Sequence, residues 1–123
     1  MAVYVLSLGS NSPEKINQIC KAFDWLNSLS LIPIKASCIY ETQALNGIDA
    51  DYSNAVCTCC LDFEYEAFNQ SLKQYEKENG RTPESKIAGV VPIDLDIVLV
   101  DGNVVRQKDY IQEYFQKGWN EIK

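Results

Sequence analysis

With 123 residues, 46% of them hydrophobic, the chain has about the size of one domain and the apolar content to bury one core. Its formal charge of −6 disfavours nucleic acid and anionic membranes, and no basic run interleaved with aromatics offsets that charge. No apolar stretch approaches the roughly 20 residues that cross a bilayer, whereas a small anionic ligand stays open to the chain wherever a divalent cation supplies positive charge locally.

Residues 2–8 are apolar and read as a first strand; without a basic segment ahead of them, and with Gly9, Ser10 and Asn11 following at once, they do not read as a signal peptide. Ser12 before Pro13 has the form of a helix cap and a first helical residue. Ile16, Ile19, Cys20, Phe23, Leu26 and Leu29 then recur at threes and fours, which predicts a helix over about 13–28. Across 31–42, Ile32, Ile34, Ala36, Cys38 and Tyr40 fall at every second position, the period of a second strand with one buried face. Asn46, Gly47, Asp49 and Asp51 mark a loop, and residues 52–63 resume as a third strand.

That third strand carries three of the five cysteines, Cys57, Cys59 and Cys60. An odd, crowded set is a poor disulfide framework, the chain has no histidine, and Cys60 points away from the other two on a strand, so no metal site is expected on them. Buried, reduced thiols of a cytoplasmic protein are the expectation.

Phe68, Leu72 and Tyr75 predict a second helix over 64–79, with Glu64 and Glu66 at its positive end and Gly80 stopping it. Residues 81–92 show neither period and read as a loop, 93–100 as the fourth strand, and Asp101-Gly102-Asn103 as a turn. Asp109 is placed to cap a short final helix carrying Tyr110, Tyr114 and Phe115. The order β-α-β-β-α-β predicts one α+β domain over 1–123, of the ferredoxin-like arrangement, with two helices on one face of an antiparallel sheet and the other face open for a ligand. That arrangement hosts many functions, so activity has to be read from residues.

In Ile93-Asp94-Leu95-Asp96-Ile97 both carboxylates share one strand face, roughly 7 Å apart. Aspartate is disfavoured in mid-strand and the two charges repel, and a hard cation with oxygen ligands relieves both problems; Mg²⁺ held by one or two carboxylates takes its other ligands from water and phosphate, which points to a nucleotide. The alternative is a wet sheet face with two solvated aspartates. Tyr52 and Asn54, on one face of the third strand, offer an aromatic plate and an amide to a flat heterocycle, or else a packing residue and a loop-closing one. Glu76 and Arg81, at the end of the second helix, read by themselves as surface charges.

Gly9-Ser10-Asn11, Tyr40-x-Thr42, Asp51-Tyr52-x-Asn54-Ala55, Glu76-x-x-x-Gly80-Arg81 and Asp94-Leu95-Asp96-Ile97, in this order over about residues 3–105, resemble the 6-hydroxymethyl-7,8-dihydropterin pyrophosphokinases of folate biosynthesis. The resemblance implies an enzyme that transfers pyrophosphate from ATP to a hydroxymethyl pterin and releases AMP. It implies two Mg²⁺ ions on Asp94 and Asp96 as metal ligands and catalytic residues, pterin contacts from Thr42, Leu45, Tyr52 and Asn54, and Glu76 and Arg81 on the ATP side. The chain departs from the family where residues 81–92 hold Lys86 as the one cation after Arg81, in place of several arginines and a tryptophan. It also lacks the family's C-terminal histidine and pterin-stacking aromatic, for which Tyr110, Phe115 or Trp119 are the candidate substitutes. Two other readings follow from those departures: a pterin- or nucleotide-binding module without catalysis, and a protein-interaction domain using a sheet edge or residues 110–119. A monomer or weak homodimer is expected.

Overall fold

The apolar runs at 2–8, 52–63 and 93–100 become the three long strands at the centre of one sheet. The structure, a computed structural model, describes residues 1–123. In chain order its elements are β1 (Ala2–Ser10), α1 (Lys15–Leu29), β2 (Lys35–Ala36), β3 (Tyr40–Thr42), β4 (Tyr52–Leu61), α2 (Tyr65–Glu78), α3 (Pro83–Ile87), β5 (Asp94–Val100), β6 (Asn103–Val104), α4 (Gln107–Tyr110) and α5 (Glu113–Ile122). The sheet order is β2-β4-β1-β5-β6, with β3 also on β4, and every pairing is antiparallel. This is the expected α+β architecture with β1 in the middle.

Alternation along the long strands sends Tyr4, Leu6 and Leu8, together with Ala55, Cys57, Cys59, Leu61, Leu95 and Ile97, to one face. There they meet Ile19, Ala22 and Leu26 of α1 and Phe68, Leu72 and Tyr75 of α2, so both long helices cover the same side. All five cysteines are free thiols. Burial raises the pKa of Cys57 and pushes Cys59 up to about 12, which keeps both protonated and inert as core residues.

The opposite face is not open along its whole length. Phe115 and Ile122 of α5 pack there on Val5, Val56, Val98 and Leu99. The pairing of β1 with β5 shifts register between Val5 and Leu6, a bulge that makes Val98 an extra residue and turns both Val98 and Leu99 toward α5. The final helix is a full element of ten residues rather than a short one, and Asp109 lies inside α4 instead of capping it. Gly118 lets α5 approach: a Cβ there would stand 2.7 Å from both Tyr40 Oη and Val56 Cγ2. The Tyr40 hydroxyl accepts from the Gly118 N–H at 3.1 Å and donates to the Tyr114 carbonyl at 2.6 Å, fixing the helix to β3.

Other local differences have local causes. Helix α1 starts at Lys15, because Pro13 and Glu14 form a turn in which the Lys15 N–H reaches Ser12 O at 3.1 Å, and Ser12 pairs with Ser10 instead of capping. Its buried face is Ile19, Ala22 and Leu26, leaving Ile16 and Cys20 outside. The predicted second strand survives only as β2 and β3. Between Ala36↔Cys57 and Tyr40↔Asn54 it advances four residues against three on β4, so one is extra. At that break Ser37 Oγ accepts the Val56 N–H at 2.9 Å in place of a strand carbonyl, which buries Ser37 and exposes Ala36 and Cys38, the reverse of the expected alternation. Within the predicted 81–92 loop, Thr82 and Ser85 form a reciprocal cap that starts α3, with Pro83 at its first turn. No helix is long and apolar enough to cross a membrane.

Replacing Gly118 by Ala drives a methyl group into Val56 and Tyr40. We expect a loss of about 1–3 kcal/mol in urea unfolding, as for other overpacked cores; an unchanged midpoint would mean that α5 does not sit this tightly on the sheet.

Candidate functional site

At one end of the sheet the register lines up Asn54 on β4, Gly9 on β1 and Asp94 on β5 as neighbours, all on the face that α5 shares. Gly9 leaves the floor between them bare: a Cβ there would stand 3.1 Å from Asn54 Nδ2 and 3.6 Å from Tyr52 Cδ2. Above that floor opens a cleft of about 300 Å³, lined among others by Thr42, Leu45, Tyr52, Asn54, Asp94 and Tyr114. This falls at the small end of pockets that take a compact ligand. The structure therefore brings all four residues expected on the pterin side into one cleft, with one of the paired aspartates at its edge.

Thr42 Oγ1 donates to Asn54 Oδ1, which fixes the amide and turns Nδ2 over Gly9. The 43–51 loop owes its shape to Asn46, whose Oδ1 accepts the N–H groups of Ile48 at 2.9 Å and Asp49 at 3.1 Å while Gly47 takes φ 67°. Leu45 on that loop is 76% exposed and overhangs the cleft. Burial and then the charge of Asp94 raise the pKa of Tyr52, so its ring enters the site as a neutral phenol.

Asp94 and Asp96 do share a face, but neither stands alone, and Asp96 is largely withdrawn from solvent. Arg81 Nη1 reaches Asp94 Oδ1 at 2.7 Å and Glu76 Oε1 at 2.9 Å. Lys73 directs its ammonium at Asp96 Oδ1 (3.1 Å), Glu76 Oε2 (3.0 Å) and Leu95 O (2.9 Å), using all three protons. Glu76, expected as a surface charge, is buried, because its Oε2 also accepts the Leu95 N–H at 2.8 Å between the two aspartates. That bond ties α2 to β5 at the site. Arg81, the other expected surface charge, is partly buried in the same cluster. Arg106 adds a third cation, with Nη1 3.9 Å from Asp96 Oδ1. Burial and then the charge of Asp94 push Asp96 up to about 6, and Lys73 pulls the other way.

Sequence reasoning missed Lys73 and Tyr114. The signal for Lys73 was its i,i+3 spacing from Glu76 beside the apolar pair Leu72 and Tyr75. Lys86, the cation noted in the 81–92 loop, is exposed and makes no ion pair; the cations on the aspartates are Lys73 of α2, Arg81 just after that helix, and Arg106 in the segment after β6. Of the C-terminal aromatics, Tyr114 lines the cleft; Phe115 is in the core under α5, and Tyr110 and Trp119 pack against that core.

No cluster of three or more acidic, cysteine or histidine side chains is placed to hold a metal. Two carboxylates alone are nonetheless a donor set that suits Mg²⁺, which takes few protein oxygens and completes its shell with water and phosphate. Asp94 and Asp96 fit that ion; the cysteines do not.

A family model described as 7,8-dihydro-6-hydroxymethylpterin-pyrophosphokinase (HPPK) matches residues 5–123. The chain is 33% identical over 109 residues to a 2-amino-4-hydroxy-6-hydroxymethyldihydropteridine pyrophosphokinase of Aquifex aeolicus, covering 88% of this chain and 67% of that protein. It is 30% identical over 95 residues to a folate synthesis bifunctional protein of Arabidopsis thaliana, covering 76% of this chain and 20% of that one. It is also 32% identical over 113 residues to the folic acid synthesis protein fol1 of Pneumocystis carinii, covering 89% and 15%. The chain thus spans a small part of the two larger relatives.

Asp96 takes up a proton more readily in the folded chain, at about 6, than at its ordinary 3.8. The folded state therefore binds more protons between those values, and metal-free stability falls as pH rises through that window. Asp96→Asn removes this cost. In chelator-treated protein it should unfold about 1–3 kcal/mol later than the parent near pH 7.5 and level with it near pH 4. A variant less stable than its parent at the higher pH would mean that pairing with Lys73 outweighs burial.

Proposed function

The chain belongs to the 7,8-dihydro-6-hydroxymethylpterin-pyrophosphokinase family, and on that footing we propose that it transfers the β,γ-pyrophosphoryl group of ATP to the hydroxymethyl oxygen of a reduced pterin, with release of AMP. Residues 1–123 act as one catalytic domain in this reading. The observation that carries it is the juxtaposition of two unlike half-sites: a cleft with an aromatic and amide lining, and a carboxylate pair whose first member, Asp94, belongs to both.

On the pterin side Tyr52 offers its ring as a stacking surface, and Tyr114, carried by the helix packed on that face, offers a second. Asn54, its amide held by Thr42, addresses the edge of the heterocycle, and the bare backbone at Gly9 lets a flat ring approach the sheet. Leu45 covers the mouth and helps to exclude water. On the nucleotide side Asp94 and Asp96 hold Mg²⁺, two ions in this reading. When bound, the metal neutralises charge on the phosphates and aligns the transferred group between its donor and acceptor oxygens. Glu76 holds Lys73 and Arg81 in place, and those two cations fix the rotamers of the aspartates that they touch. Phosphoryl-type transfer needs positioned charge more than covalent help, which suits this cluster.

An assay for AMP formed from ATP, Mg²⁺ and 6-hydroxymethyl-7,8-dihydropterin tests the proposal. Asp94→Ala should cut the rate by about 10²–10³-fold, as loss of a principal charge-positioning group does. Lys73→Met, which leaves both carboxylates but frees Asp96, should cost about 10–100-fold, most of it as weaker Mg²⁺ binding. Pterin binding without any AMP from the parent protein would support the binding module instead. Neither binding nor turnover at saturating Mg²⁺ would end both readings.

A further inference from the structure

Asp109 sits on α4, outside both half-sites, yet it is buried and both of its oxygens are committed. Oδ1 accepts from the hydroxyl of Tyr114, and Oδ2 accepts from Nε of Arg106. Arg106 faces Asp96 with its other end at 3.9 Å, and Tyr114 lines the cleft beside Asp94. A single carboxylate therefore joins the aromatic wall on α5 to the aspartate pair on β5. A second tether holds the backbone: Tyr40 Oη donates to the Tyr114 carbonyl at 2.6 Å. The main chain at Tyr114 is thus fixed from β3 and its ring from α4, which leaves the ring little freedom to leave the cleft.

We propose that Asp109 is the positioning residue for the aromatic wall: by accepting the Tyr114 hydroxyl it holds that ring at the cleft, and by accepting Arg106 it keeps the wall in register with the metal-binding aspartates. The inference rests on the pterin reading of the cleft. An ordered ring binds a flat ligand without first giving up rotamer freedom, so loosening it lowers affinity even though no contact atom is removed. Alanine at 109 offers neither donor an acceptor, whereas asparagine can keep both contacts, its oxygen accepting from Arg106 and its N–H₂ donating to the Tyr114 hydroxyl.

The test is a double-mutant cycle on Asp109→Ala and Tyr114→Phe, read by the fluorescence of 6-hydroxymethylpterin binding to the full chain with Mg²⁺ and a non-hydrolysable ATP analogue. Each single variant should weaken pterin binding roughly tenfold, about the worth of one charge-assisted hydrogen bond. The double variant should be no weaker than Asp109→Ala alone, since that change already removes the bond that Tyr114→Phe removes. Mg²⁺–nucleotide affinity, measured separately by calorimetry, should change less than threefold in Tyr114→Phe, a split that general destabilisation would not produce. Pterin affinity equal to the parent's in Asp109→Ala, or effects that multiply in the double variant, would overturn the inference. If Asp109→Ala fails to fold, Tyr114→Phe decides alone: weakened pterin binding supports the tether, and unchanged binding refutes it. A parent protein that binds no pterin would instead remove the functional reading itself.

Discussion

Two carboxylates that must stay charged on one face of a strand are the constraint around which the rest of this molecule is arranged. Asp94 and Asp96 are held by Arg81, Lys73 and Arg106, and these cations are shared with Glu76 and Asp109. Four carboxylates against three cations leave the cluster with one negative charge in excess, so a divalent ion remains welcome there. Partly buried charges of this kind do little for stability, and removing one of the three cations leaves carboxylates unmatched. The two apolar layers, one under α1 and α2 and the other under α5, offset that cost.

The division of the sheet follows from the same constraint. One face is given wholly to the core, where Cys57 and Cys59 serve as small apolar side chains. The other is split: α5 covers Val5, Val56, Val98 and Leu99, and beyond its reach the strands turn polar at Ser7, Gly9, Asn54, Asp94 and Asp96. The bulge at Val98 serves both halves, because it puts two consecutive apolar residues under α5 while the aspartates keep their place on that face. Gly118 and Tyr40 then set how closely the helix sits, and so where the ring of Tyr114 stands.

Much of this was legible in the residues. Apolar runs gave the three long strands, and the spacing of Phe68, Leu72 and Tyr75 gave α2 nearly to its ends. The ordered set of short motifs located both the cleft and the carboxylates. What stayed hidden was set by contacts distant in sequence. Nothing local tells that Glu76 will bury its carboxylate to accept the Leu95 N–H, or that Ser37 will take over a strand carbonyl's role and split the second strand. Tyr114 and its neighbour Phe115 are both aromatic, and only the packing of α5 sends one to the cleft and the other to the core. The cap at Thr82 and Ser85, by contrast, was present in the sequence; with serine in place of the usual acidic or amide partner it was easy to pass over.

The central claim is that Asp94 and Asp96 together take Mg²⁺ when nucleotide arrives, with Arg81 giving up its place on Asp94. A crystal structure with saturating Mg²⁺ and a non-hydrolysable ATP analogue measures this directly. The account predicts metal density in contact with oxygens of both aspartates and of the phosphates, with Arg81 withdrawn from Asp94. Nucleotide bound elsewhere, or no metal density while Arg81 and Lys73 still hold the two carboxylates as they do here, would contradict it.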